Sequence, residues 1–184
     1  MNYSPKKMSE LLEKNDFNFK KKFGQNFIID ENIINNIVTK SNIDKDTLVI
    51  EIGPGAGSLT YFLAKSAKNV LCYEIDTTLK DILANNLKEY DNVEIIYNDF
   101  LKSNVVEDIK KYEYRKLYVV ANLPYYITTP IIMKLIEDNI GVDKIVSKAW
   151  DKKISSIPSS PESSSSSSDL DIPSFLRNKK GLTK

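Results

Sequence analysis

The segment VIEIGPGAGSLT places Gly53, Gly55 and Gly57 after an apolar run that ends near Glu51, and just before a helical pattern that opens at Ser58. Glycines at this spacing let the backbone turn sharply and bring amide N–H groups and a helix N-terminus close to a ligand. The spacing is Gly-x-Gly-x-Gly. Ser58 stands where a dinucleotide fingerprint has its last glycine, and no Gly-Lys-Ser/Thr follows to make a phosphate loop. A tight strand-to-helix turn without a ligand is the plainer alternative. About twenty residues after the first glycine, Glu74 ends the next apolar run, where a carboxylate can accept hydrogen bonds from both hydroxyls of a ribose. Asp99 ends the third run, in YNDF, and Asn122 ends the fourth, opening the sequence Asn122-Leu123-Pro124-Tyr125-Tyr126. Any one of these is explained by the ordinary preference of Asp and Asn for the ends of strands. Four consecutive strand ends bearing such groups are hard to assemble by chance, and open α/β sheets bind ligands along that edge.

The composition narrows the chemistry. The 184 residues include no histidine and a single cysteine. Ser-His and Cys-His catalysis and HExxH metal sites are thereby excluded, and no metal is expected. Cys72 lies inside the apolar run NVLCYEI, where a buried structural thiol is the simpler reading. Chemistry must come from carboxylates, amides, backbone groups or a reactive cofactor. The net charge is only +1, yet lysines cluster at Lys20, Lys21 and Lys22 and again near the C-terminus, which suits either phosphate contacts or a solvated face. No apolar stretch approaches the ~20 residues of a membrane span and the N-terminus has no signal-peptide core, so a cytoplasmic protein is expected.

These residues need a framework to bring them together. ENIINNIVTK, residues 31 to 40, has helical spacing, and TLVIEIG from Thr47 reads as a buried strand entering the glycine turn. The alternation continues with a helix from Ser58, the strand NVLCYEID, the helix TTLKDILANNLKEY with Thr77 or Thr78 as its N-cap, and the strand VEIIYND. A polar helical stretch around SNVVEDIKKY leads to the strand KLYVVAN and a helix from about Thr128 to Glu137, and DKIVSKA starts a fifth strand. Such alternation predicts an α/β domain with a mostly parallel sheet over residues 31–147, preceded by a basic segment, 1–30. From about Lys148 serine and proline displace the apolar periodicity. Residues 148–184 are expected to form a disordered serine-rich linker ending in a short peptide, DLDIPSFLRN.

With KKFGQNFIID, EIGPGAGSLT, YEID, NDFL and NLPYYITTPII in this order, residues 18 to 146 closely resemble the ribosomal RNA adenine N6-dimethyltransferases. These are S-adenosylmethionine-dependent enzymes with a Rossmann-like class I methyltransferase core, acting on adjacent adenines of small-subunit ribosomal RNA. The chain is also similar to the related large-subunit adenine methyltransferases of macrolide resistance. The resemblance implies that Asn26 and Ile28 close over the cofactor, at a position where the family usually has leucine in place of Ile28. It implies that Gly53 lies against the methionine moiety in a cofactor cradle that includes Gly55 and Gly57, Glu74 holds the ribose, and Asp99 accepts from the cofactor's adenine amino group. Asn122 serves cofactor and target base alike. Carbonyls of Asn122 and of Leu123 or Pro124 accept the two hydrogens of the target amino group, and Tyr125 stacks on the base, offsetting the cost of unstacking it. Tyr126 is better suited to core packing beneath the sheet edge. Lys20, Lys21 and Lys22 become phosphate contacts for ribosomal RNA or an immature small subunit. Family members continue past GVDKIV with further strands and a helical C-terminal domain, neither of which has a counterpart here. The tail instead resembles the C-terminal peptide of the bacterial tubulin-like division GTPase. That likeness assigns Ile172, Phe175 and Leu176 as apolar anchors and Arg177 as a charged contact for a protein partner. The rival expectation to an enzyme is a degenerate, non-catalytic core whose tail recruits division-site partners.

Overall fold

A computed structural model of the chain describes residues 31–121 and 125–147. Among these residues five strands form one sheet: β1 (Thr47–Ile52), β2 (Asn69–Tyr73), β3 (Val93–Ile96), β4 (Lys116–Ala121) and β5 (Lys144–Ser147). Their order is β3-β2-β1-β4-β5 and every pair is parallel, as the strand-helix alternation predicts. The helices are α1 (Glu31–Ser41), α2 (Ser58–Ser66), α3 (Lys80–Leu87), α4 (Val105–Ile109) and α5 (Tyr125–Glu137), with short 3₁₀ turns at Thr77–Leu79 and Phe100–Lys102.

The central strands are apolar at nearly every position because both faces are covered. Val49, Val70, Cys72 and Val120 pack against Ile34 of α1 and Leu59 and Leu63 of α2. On the opposite face Leu48, Ile50, Leu71, Leu117 and Val119 meet Val105 and Ile109 of α4 and Ile131 and Leu135 of α5. Leu79, Leu83 and Leu87 bring α3 against Ala56 inside the glycine turn. Two lysines fasten helix ends to the sheet's amino edge. Lys45 donates to the carbonyls of Lys65 (2.8 Å) and Ala67 (2.9 Å) at the end of α2, and Lys144 of β5 donates to those of Lys40 (3.3 Å) and Ser41 (3.1 Å) at the end of α1. A cation at a helix C-terminus satisfies carbonyls that have no intrahelical donor and complements the dipole.

Three boundaries differ from the sequence reading. The cap before the third helical segment is Asp76, not Thr77 or Thr78: its carboxylate accepts from the Thr78 amide (3.1 Å) and hydroxyl (2.6 Å), and the chain makes a 3₁₀ turn before α3. Strand β3 stops at Ile96, whose carbonyl takes the Asn98 amide in a tight turn (3.0 Å), so Asp99 lies beyond the strand. Helix α5 begins at Tyr125, three residues before the expected start at Thr128, and carries Pro130 within it. Among the described residues no helix is long and apolar enough to cross a membrane.

Candidate cofactor and base-binding site

The chain leaves β1 for β2 and β3 on one side and returns to β4 on the other, so the carboxyl ends of β1 and β4 flank the point where strand order reverses. Ile52 is paired with Ala121 there. A crevice at such a point is where open parallel sheets take their ligands.

The glycine turn forms one wall. Gly53, Gly55 and Gly57 all have positive φ (73°, 60° and 86°), a conformation that costs a side-chain-bearing residue but not glycine. A Cβ on Gly57 would also stand 3.2 Å from Leu83 Cδ2. Each part of the turn is held by a different element: the Gly53 amide donates to the Tyr73 carbonyl (2.9 Å), Asn86 Nδ2 donates to the Ala56 carbonyl (2.9 Å), and the Gly55 amide donates to Glu74 Oε2 (3.0 Å). The other oxygen of Glu74 accepts from the Asp76 amide (2.9 Å). Glu74 is 4% exposed, and burial pushes its pKa up while the backbone amides pull it down. At the start of α2, the Ser58 hydroxyl is buried and has no hydrogen-bond partner among the described residues.

Beneath the turn lies a carboxylate to which the sequence reading gave no role. Glu51 points to the α2 face of the sheet, 2% exposed, and its Oε2 receives the Cys72 thiol at 3.6 Å. Burial raises its pKa to about 7, reinforced by the charge of Glu74 and opposed by the Thr60 hydroxyl and the Cys72 thiol. Thr60 faces this carboxylate without a hydrogen bond of regular geometry, and its hydroxyl is otherwise unpaired. The Cys72 thiol is itself buried and its pKa pushed well up by burial and by Glu51, so it is a poor nucleophile.

The next two strand ends supply the other polar groups. The Glu74 amide donates to the Ile96 carbonyl (3.0 Å), which ties the end of β2 to that of β3. Asp99 caps the following turn, its carboxylate accepting from the Leu101 amide (3.0 Å) with Lys102 Nζ 3.9 Å away. Between them Ile75 is 50% exposed, a large apolar side chain next to a buried carboxylate. Its signal in the sequence was an apolar residue placed directly after the acidic strand end. The structure therefore brings together Gly53, Gly55, Gly57 and Glu74, with Asp99 at the cap of the turn that follows the adjoining strand β3. Asn122, Leu123 and Pro124 lie outside the described residues, as do Lys20, Lys21, Lys22, Asn26, Ile28 and the tail positions Ile172, Phe175, Leu176 and Arg177. Tyr125 is the first residue of α5. Tyr126, expected in the core, is 69% exposed, because starting the helix at Tyr125 turns it away from Ile131 and Leu135. Among the described residues no group of three or more His, Cys, Asp or Glu could hold a metal ion.

A sequence model of a family described as ribosomal RNA adenine dimethylase matches residues 16–154. The curated ribosomal RNA small subunit methyltransferase A of Staphylococcus aureus (strain bovine RF122 / ET3-1) is 53% identical over 145 residues, 78% of this chain and 49% of that protein. The chain thus spans about half the length of the curated relatives it matches. Among solved structures, the 23S rRNA methyltransferase ErmE superposes with a TM-score of 0.57 at 29% identity, covering 70% of this chain and 50% of that one. A dimethyladenosine transferase from Plasmodium falciparum gives a TM-score of 0.54 at 25% identity, covering 70% and 46%.

Proposed function

The chain belongs to the ribosomal RNA adenine dimethylase family, and on that premise we propose that it binds S-adenosylmethionine at the carboxyl edge of its sheet and methylates the N6 amino group of adenine in small-subunit ribosomal RNA, in the cytoplasm. The observation that carries the reading is the buried Glu74 carboxylate, hydrogen-bonded to the glycine turn at Gly55 and flanked by exposed Ile75. A carboxylate has about four acceptor positions; the Gly55 and Asp76 amides take two, and the Ile75 amide also donates toward it. The remainder suit a ribose diol, and Ile75 offers an apolar surface for the attached base. The unpaired Ser58 hydroxyl and the positive-φ glycines suit a polar group held against the start of α2. The residues present therefore fit this cofactor, with Gly53, Gly55 and Gly57 against its methionine portion, Glu74 on the ribose and Asp99 on the adenine amino group. Asn26 and Ile28 would close over it.

When bound, the cofactor supplies a methyl group made electrophilic by its sulfonium. The adenine amino nitrogen is a weak nucleophile because its lone pair is delocalised into the ring. Asn122 and the backbone carbonyl of Leu123 or Pro124 accept its two hydrogens and so localise and direct that lone pair, while Tyr125 stacks on the extruded base. No strong general base is needed, since the proton can leave after transfer, and the absence of histidine is no obstacle. Lys20, Lys21 and Lys22 would hold the phosphate backbone without reading sequence.

The test is calorimetric titration of S-adenosylmethionine into the full chain and into Glu74→Gln. The glutamine keeps the shape but gives up one acceptor for a donor, and affinity should fall about tenfold or more, as expected when hydrogen bonds to a charged group are lost. Methyl transfer to immature small subunits should then vanish in Asn122→Ala. A folded chain that takes up no cofactor, or equal affinity in Glu74→Gln, refutes the reading.

A further inference from the structure

We propose that Tyr126 is a stacking platform for the RNA base adjoining the target adenine. This rests on the RNA-methylating reading above and adds to it a substrate contact outside the pocket that receives the extruded base. Tyr126 is the second residue of α5, four positions after Asn122, on the element that leads away from the carboxyl edge of β4. At 69% exposed it is the most open of the large hydrophobic side chains among the described residues. Among the described residues the phenol ring joins none of the core clusters, and helical spacing puts it on one outward face with Pro130 and Met133, opposite the buried Ile131 and Leu135.

Two further features favour nucleic acid as the occupant. Helix α5 carries no acidic residue in its first turn, and none occurs from Tyr125 to Ile136, so the positive end of its dipole lies at the carboxyl edge of β4 with no carboxylate of its own to repel phosphate. Pro130 has no N–H to offer the Tyr126 carbonyl, so the α-helical ladder leaves that oxygen without its usual donor in the first turn of α5. An open aromatic face is the kind of surface on which unstacked bases rest, and a backbone acceptor in the same turn can take an exocyclic amino group. Extruding one adenine exposes the faces of its neighbours. A second aromatic at the mouth of the pocket recovers stacking for one of them, which lowers the cost of extrusion.

The experiment measures binding of the full chain, with S-adenosylmethionine present, to a fluorescein-labelled single-stranded oligoribonucleotide bearing one adenine in a uridine run. A matched strand has abasic sites on both sides of the adenine. Tyr126→Ala should weaken binding to the intact strand about tenfold, the usual scale of losing one base-aromatic stack. Tyr126→Phe and Tyr126→Trp should retain it, and on the abasic-flanked strand wild type and Tyr126→Ala should bind alike. Cofactor affinity by calorimetry should be the same in all variants, which separates this contact from loss of fold. Equal binding of the intact strand by wild type and Tyr126→Ala overturns the assignment and leaves the RNA-methylating reading standing, as does a deficit that persists on the abasic-flanked strand. A wild-type chain that binds cofactor but no RNA overturns both. Sedimentation showing a dimer that Tyr126→Ala disperses would give the face to a second copy of the chain and refute the assignment to RNA.

Discussion

Glu51 makes the stability of this fold depend on pH in a direction opposite to that of most carboxylates. Its pKa rises from an ordinary 4.5 in the unfolded chain to about 7 in the folded one, chiefly because the side chain is buried on the α2 face of β1. Below pH 4.5 both states hold the proton. Between 4.5 and 7 the unfolded chain releases it while the folded chain keeps it, so stability falls as pH rises through this window, and above 7 the cost is constant. At about 1.4 kcal/mol for each tenfold change in proton affinity, the loss is about 3 kcal/mol. Glu51→Gln stays neutral in both states and removes this slope. Urea unfolding of wild type and Glu51→Gln at pH 4.5 and pH 8 should give similar stabilities at the lower pH and a gain of about 3 kcal/mol for the variant at the higher. With a denaturant slope of about 2 kcal/mol per molar, that is a midpoint shift of roughly 1.5 M. Groups that do not interact with Glu51 cancel in the comparison, and the repulsion from Glu74 is already contained in the raised pKa of Glu51. A difference between the two proteins that is the same at both pH values, within about 0.5 kcal/mol, refutes the reasoning.

Three substitutions probe how the site is held. Gly57→Ala places a side chain at φ +86° with its Cβ 3.2 Å from Leu83 Cδ2. It should cost about 1–2 kcal/mol by denaturation and weaken cofactor binding in calorimetry. Asn86→Ala removes the bond to the Ala56 carbonyl; a loss of about 1 kcal/mol is expected, together with faster hydrogen exchange at the Gly55 and Gly57 amides. Lys45→Met keeps most of the side-chain length but leaves the Lys65 carbonyl without this donor and the Ala67 carbonyl with only the longer bond from Asn92 Nδ2 (3.4 Å), and thermal unfolding should show a loss of about 0.5–1 kcal/mol with cofactor affinity unchanged.

The strands and the glycine turn were legible in the sequence because apolar runs ending in glycine have few other solutions in a parallel sheet. The ends of elements were less so, for identifiable reasons. Asp76, Thr77 and Thr78 are all good N-cap residues side by side, and only the three-dimensional path shows that the Asp76 carboxylate takes the Thr78 amide and hydroxyl. Tyr97, Asn98 and Asp99 continue the apparent strand of VEIIYND, but the Asn98 amide folds back to the Ile96 carbonyl and stops the ladder. The exposure of Tyr126 turned on where α5 begins. With a start near Thr128 the residue lies in a loop with no defined face, whereas a start at Tyr125 fixes its direction with Pro130 and Met133. Glu51 was hidden by a different effect: in a strand covered on both faces, alternation carries no sign of which side chains are buried.

On the proposed reading, Glu74 would let the cofactor half of the site exist before any ligand arrives. One of its oxygens fastens the glycine turn at Gly55 and the other fastens the backbone at Asp76, which caps the next turn. The same carboxylate therefore builds the wall against which a ribose would rest, and burying it is unfavourable, as its raised pKa records. A carboxylate kept only for stability would be better replaced by a neutral side chain, since burying an incompletely paired charge gains nothing. Its place among backbone amides, with acceptor capacity left over, is the arrangement expected of a group held in advance for hydroxyl donors: the protein meets the desolvation cost on folding rather than on binding.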